Sequence, residues 1–109
     1  SSIFLKDMHR LYPDLEEKCR NGYRDQAQAL GVFLTKGVEE GTFRNDINFS
    51  LAAEVFTSQT NSIMKELSTS NNPKTVQEMI DTTFVIFLRG IATQKGLELI
   101  DIFLKENNI

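Results

Sequence analysis

Cys19 and His9 are the residues of this 109-residue chain best suited to nucleophilic chemistry, a thiol with an imidazole to take its proton. Such a pair works only within hydrogen-bond reach, with a third group to orient the base. Cys19 and His9 fall on separate predicted helices and no orienting partner stands beside either. The sequence therefore reads Cys19 as a small apolar packing residue and His9 as a surface one. A single Cys and a single His cannot complete a zinc site, and no Glu-x-x-His carboxylate motif occurs. The neighbours Glu16-Glu17 and Glu39-Glu40 point to different helix faces, the pattern of solvated charge rather than of paired catalytic carboxylates. Neither GxGxxG nor GxxxxGK followed by Ser or Thr is present to cradle a phosphate. The expectation is a protein that is not an enzyme and has no metal or cofactor.

Charge narrows the partners. Lys and Arg number 12 against 15 for Asp and Glu, a formal charge of −3, with a local basic excess only at Lys18, Arg20 and Arg24. Binding a nucleic-acid backbone needs several cations converging on phosphates, so this chain is not expected to hold DNA by itself. One cysteine permits no intramolecular disulfide, and Lys6, Asp7 and Arg10 interrupt the start before any signal-peptide core could form, so the expected location is cytoplasmic. The longest apolar run, Phe84-Val85-Ile86-Phe87-Leu88, is closed by Arg89 and is far short of the ~18 residues of a membrane span.

The elements that must position these residues are all helices. No repeat or linker divides the chain, so residues 1–109 read as one domain, an all-α bundle of about five helices. The first runs from Ser1 to Tyr12 with Ile3, Phe4, Met8 and Leu11 at helical spacing. Pro13 opens a long second helix to Glu40, whose stripe is Leu15, Cys19, Tyr23, Ala27, Leu30, Leu34 and Val38. Gly22, Gly31 and Gly37 inside it imply close packing, a bend or open space, because each costs roughly 1 kcal/mol in a helix interior. Gly41 stops the helix, and Phe43 and Ile47 are expected to plug the following connection into the core. Asn48 caps a third helix to Ser68 with the inner stripe Ala52, Phe56, Gln59, Ile63 and Leu67, and a second row of Leu51, Val55, Ser58 and Ser62. Ser68 to Asn72 reads as a loop, and Asn72-Pro73 starts a fourth helix to Thr93. That helix carries Val76, Ile80, Phe84, Phe87 and Ile91 on one stripe and Met79, Thr83, Ile86 and Gly90 on another, with Val85 and Leu88 beside them. A last helix spans Gly96 to Glu106.

Two needs follow. The apolar belt of the fourth helix is wider than one contact can cover, and patches larger than a few hundred Å² usually mark an interface. The expectation is a two-fold homodimer through the third and fourth helices, with Val55, Ser58, Ser62, Met79, Thr83, Val85, Ile86 and Gly90 at the interface. The competing reading has the first or last helix covering the belt internally. The second need is space. Cys19, Tyr23, Phe33, Phe56, Gln59, Met64 and Phe87 mix apolar surface with polar tips, as the lining of a pocket for a small apolar or amphipathic ligand would. A plain aromatic core with Met as filler fits the same residues.

Tyr12-Pro13-Asp14-Leu15, the segment Gly37-Val38-Glu39-Glu40-Gly41-Thr42-Phe43-Arg44-Asn45-Asp46-Ile47-Asn48 and Phe87-Leu88-Arg89-Gly90-Ile91 together resemble the regulatory half of TetR-type (tetracycline-repressor-like) transcriptional regulators. The resemblance runs from Phe4 to Leu104, and its most characteristic piece is the Gly-x-Phe-Arg-x-Asp-Ile-Asn turn. It implies a C-terminal ligand-binding and dimerisation domain with an inducer in an internal helical pocket. DNA would be reached only through an N-terminal helix-turn-helix, which this chain does not contain. The alternative from another class is a stand-alone helical protein–protein interaction module without ligand.

Overall fold

A computed structural model of the chain describes residues 2–12, 23–67 and 73–109, with side chains over 3–12, 28–66 and 75–109. Five helices are described: α1 (Ser2–Leu11), α2 (Tyr23–Glu40), α3 (Phe49–Leu67), α4 (Pro73–Ile91) and α5 (Gln94–Glu106). Among the described residues the only extended pairing is an isolated antiparallel bridge between Phe43 and Ala92. The fold is an all-α bundle. The start of the expected second helix, with Leu15, Cys19 and Gly22, lies outside the described residues, as do the expected 68–72 loop and the Asn72 cap.

The packing follows from where each helix carries its large side chains. α3 lies against α2 and α4, α4 against α5, and α1 against both α2 and α5, so the helices follow one another round a closed ring. Phe4, Met8 and Leu11 of α1 point inward at steps of four and three, whereas Ile3, expected on the same stripe, is exposed. Leu30, Phe33 and Leu34 of α2, Val76, Ile80, Phe84, Leu88 and Ile91 of α4, and Leu99, Ile100 and Phe103 of α5 complete the core. Aromatic rings fill its middle. Phe33 lies 5.7 Å from Phe4 and 5.2 Å from Phe43, while Phe84 stands between Tyr12 and Phe56.

On α3 the sequence reading is corrected. Gln59 is exposed, and the inner line is instead Phe56, Thr57 and Thr60, flanked by Ala53, Ile63 and Met64. The helix is turned by about one position relative to the expected stripe, which keeps the four-valent amide of Gln59 in water. Thr60 meets its own demand locally, its hydroxyl donating to the Thr57 carbonyl at 3.0 Å.

The Gly-x-Phe-Arg-x-Asp-Ile-Asn segment is a clasp between the two halves of the bundle. Gly41 adopts φ +77°, the left-handed conformation that ends α2. The Thr42 and Phe43 amides both donate to the Gly37 carbonyl, folding the chain back so that the Phe43 ring enters the core. Gly37 makes this possible, since a Cβ at that position would overlap the Phe43 ring. Arg44 and Asp46 pair through two hydrogen bonds at the surface, holding the Arg44 guanidinium charged and the Asp46 carboxyl below its usual range. Ile47 packs onto the core edge, and Asn48 Oδ1 accepts from the Leu51 amide to cap α3.

The clasp also fixes the α4–α5 junction. The Arg44 amide donates to the Ile91 carbonyl and the Thr93 amide to the Thr42 carbonyl. Thr93 Oγ1 donates to the Gly41 carbonyl at 2.7 Å and accepts from the Gly96 amide at 3.1 Å. That cap starts α5 at Gln94 rather than at the expected Gly96, and α4 ends at Ile91 rather than Thr93, because Ala92 and Thr93 have left the helix to pair with the clasp.

Candidate functional site

α3 and α4 together present one outward face. The 68–72 segment is too short to run the roughly 28 Å length of a 19-residue helix, so the two packed helices are antiparallel. The Phe56 ring lies 6.1 Å from Phe84 and 4.8 Å from Phe87, which sets the register and brings Val55 level with Ile86. Leu51, Val55, Ser58 and Ser62 follow an i, i+4, i+7, i+11 line on α3, and Met79, Thr83, Ile86 and Gly90 follow the same line on α4. Neither line contains a charged residue.

The exposure of this face is large. Ile86 is 68% exposed, Leu51 57%, Val55 56% and Met79 45%. Ser58, Ser62 and Gly90 are exposed as well, Thr83 and Val85 half-buried. A Cβ added at Gly90 would meet nothing within 4 Å, so the surface there is open to close approach. Seven of the eight expected interface residues thus fall on these two lines, while Val85 is turned about 100° away from Ile86 round the α4 axis.

The expected pocket residues are distributed differently. Cys19 lies outside the described residues, and so does the side chain of Tyr23. Phe56 and Phe87 touch each other, Met64 is half-buried against the core, and Gln59 faces solvent. Phe33 belongs to the separate Phe4–Phe33–Phe43 cluster and also lines a cavity of about 420 Å³ between α1 and α2, beside Val32 and Lys36.

A larger groove, about 580 Å³, opens between α2 and α3. Gly31, Leu34 and Val38 line it from α2, Phe49 and Ala53 from α3, and Glu39 and Glu54 supply its charged groups. Apart from the mid-helix Gly31, nothing in the chain's own pattern marks these residues, because the groove depends on the spacing of two helices that the sequence does not give.

Polar chemistry elsewhere is structural. Tyr12 donates to Asp81 Oδ1 at 2.9 Å, and Gln77 Nε2 donates to the same oxygen at 2.9 Å. Burial, followed by the hydrogen bond to Asp81 and its charge, pushes the Tyr12 phenol up to about 12. A phenol so held ties the end of α1 to α4 and is no base near neutrality. His9 lies 3.4 Å from Glu106 and edge-on to Phe103, an arrangement that fastens α1 to α5. Among the described residues no three metal-ligating groups converge, and no described helix is long and apolar enough to cross a membrane.

Fold and face together define a helical bundle with an unpaired apolar two-helix surface. No protein-family model matches the chain, and neither a curated protein nor a solved structure gives a significant match.

Proposed function

We propose that this chain is the ligand-sensing and dimerisation domain of a TetR-type transcriptional regulator. The observation that carries the reading is the uncharged face of α3 and α4, with Ile86, Leu51 and Val55 more than half exposed beside a ring of helices whose core is already filled. Two adjacent helices of this length, with axes 8–10 Å apart, offer a projected face of roughly 28 by 18 Å, about 500 Å², the scale of a small protein–protein interface. A two-fold axis lets this single face serve both subunits, and the resulting four-helix contact would be dry along both lines.

The dimer would hold two helix-turn-helix modules, supplied N-terminal to this domain, about one turn of DNA apart. An inducer then acts only by binding one arrangement of the bundle more tightly than another. The Gly41–Asn48 clasp supports the same assignment, since Gly41, Thr42, Phe43, Asn48 and the Arg44 amide of the resembling segment each have a defined place in joining α2, α3 and the α4–α5 junction. Sedimentation velocity across a concentration series tests the reading: a self-association that saturates at two copies supports it, and a monomer throughout overturns it.

A second reading, a helical interaction module without ligand, draws support from one observation. Phe33 and Phe56 belong to separate ring clusters and Gln59 faces water, so these residues do not surround one common space. A thermal-shift screen with small amphipathic compounds separates the two, because a ligand of the folded state raises the apparent midpoint with its concentration.

A further inference from the structure

We propose that the groove between α2 and α3 binds a small amphipathic cation. The proposal concerns a different place from the α3–α4 face and does not depend on whether that face pairs. At about 580 Å³ the groove is in the size range of sites for compounds of drug-like dimensions. Its walls are Leu34 and Val38 on one helix and Phe49 and Ala53 on the other. Thr35, which also lines it, turns its hydroxyl back to donate to the Gly31 carbonyl at 2.9 Å, leaving its methyl group for the groove. At Gly31 there is no side chain, and a Cβ built there meets nothing within 4 Å, so the space is real at the middle of the wall.

The charge is one-sided. Glu39 and Glu54, from opposite helices, are the only charged residues lining the groove, and neither joins an ion pair among the described residues. An anionic head group meets two like charges there, whereas an ammonium group meets two unpaired carboxylates above an apolar wall.

The test uses decyltrimethylammonium and decanesulfonate, each below its micelle concentration, titrated into the isotope-labelled domain and followed by amide chemical shifts. The ammonium probe should shift Gly31, Val38 and Ala53 saturably and bind at least about tenfold tighter than the sulfonate. The double variant Glu39→Gln with Glu54→Gln, altered only at exposed side chains, should remove most of that preference. Gly31→Leu should fill the groove and abolish the shifts without lowering the thermal midpoint. Equal affinity for the two probes overturns the proposal, as do shifts confined to Val55, Ile86 and Gly90, and so does wild-type binding by a folded Gly31→Leu.

Discussion

Ile86→Asp should prevent the proposed dimer from forming without unfolding the subunit. The Ile86 side chain is 68% exposed in the single chain, so the bundle gains little from it. An exposed substitution of this kind changes subunit stability by about 0.5 kcal/mol or less. Full burial of an isoleucine stabilises by about 1.5–3 kcal/mol, of which roughly two thirds is still available to a partner at this site. A two-fold axis places the residue in the interface twice, so about 2–4 kcal/mol of apolar burial is lost. Two carboxylates must also be desolvated or leave the contact open, at a further cost of several kcal/mol. The dissociation constant should rise at least about 100-fold, taking a loss of roughly 3 kcal/mol as the floor. Sedimentation velocity over a concentration series reads the constant, with circular dichroism melting on diluted protein as the check on folding and Ile86→Leu as the conservative control. The reasoning is refuted if wild type and Ile86→Asp sediment identically at every concentration.

Three further outcomes follow from the packing. Gly37→Ala should destabilise by about 1–3 kcal/mol in urea unfolding, because its Cβ would meet the buried Phe43 ring, whereas Gly31→Ala should stabilise by about 0.5–1 kcal/mol through helix propensity alone. Thr93→Ala should lower stability by about 1–2 kcal/mol, since one hydroxyl both caps α5 and donates to the Gly41 carbonyl, and Thr93→Ser should recover most of it. For Tyr12, the folded phenol holds its proton up to about 12 against 10.0 unfolded, so its contribution is fully present below pH 10 and is lost as the pH rises through 12. Urea midpoints measured across that window should fall more steeply for wild type than for Tyr12→Phe, and parallel curves would count against the Tyr12–Asp81 tether.

What could be read from the sequence depended on whether a residue's role was local. Gly41 and Asn48 act within a few positions of themselves, and their types alone mark the stop and the cap that the structure contains, while Phe43 is marked as a core plug by its apolar type although its partners Phe4, Phe33 and Ala92 are distant in the chain. Apolar periodicity likewise located α3 and α4, because a period of 3.6 survives any uncertainty about neighbours. Rotation about the helix axis is a different matter. Gln59 and Thr57 differ by two positions, and which of them faces inward is decided by how α2 and α4 grip α3, not by residues near 59. The same limit hid the α2–α3 groove, whose lining comes from two segments that no local pattern connects. Ile3 shows the converse error, an apolar residue at plausible spacing that the ring of helices leaves outside.

α3 has two jobs. One flank carries Val55 and Leu51 on the apolar face, while Phe49, Ala53 and Glu54 line the groove against α2. A change in the separation of α2 and α3 would therefore move one half of the apolar face proposed to pair while α4 holds the other half. Rotating α3 against α4 is resisted by the Phe56–Phe84–Phe87 contacts, so the softer adjustment is at the α2 side, where Gly31 leaves the wall unfilled. Coupling then requires that a bound molecule prefer one α2–α3 spacing, and a molecule tolerating both would bind and transmit nothing. Reciprocity makes this measurable, because whatever factor a groove ligand imposes on the dimer constant, dimerisation must impose on the ligand's affinity. With Ile86→Asp holding the chain as a monomer, decyltrimethylammonium should bind with an affinity different from that of the dimer by the same factor that saturating probe changes the wild-type dimer constant. Equal affinities for monomer and dimer, with a probe-independent dimer constant, would show that α3 carries the two surfaces without linking them.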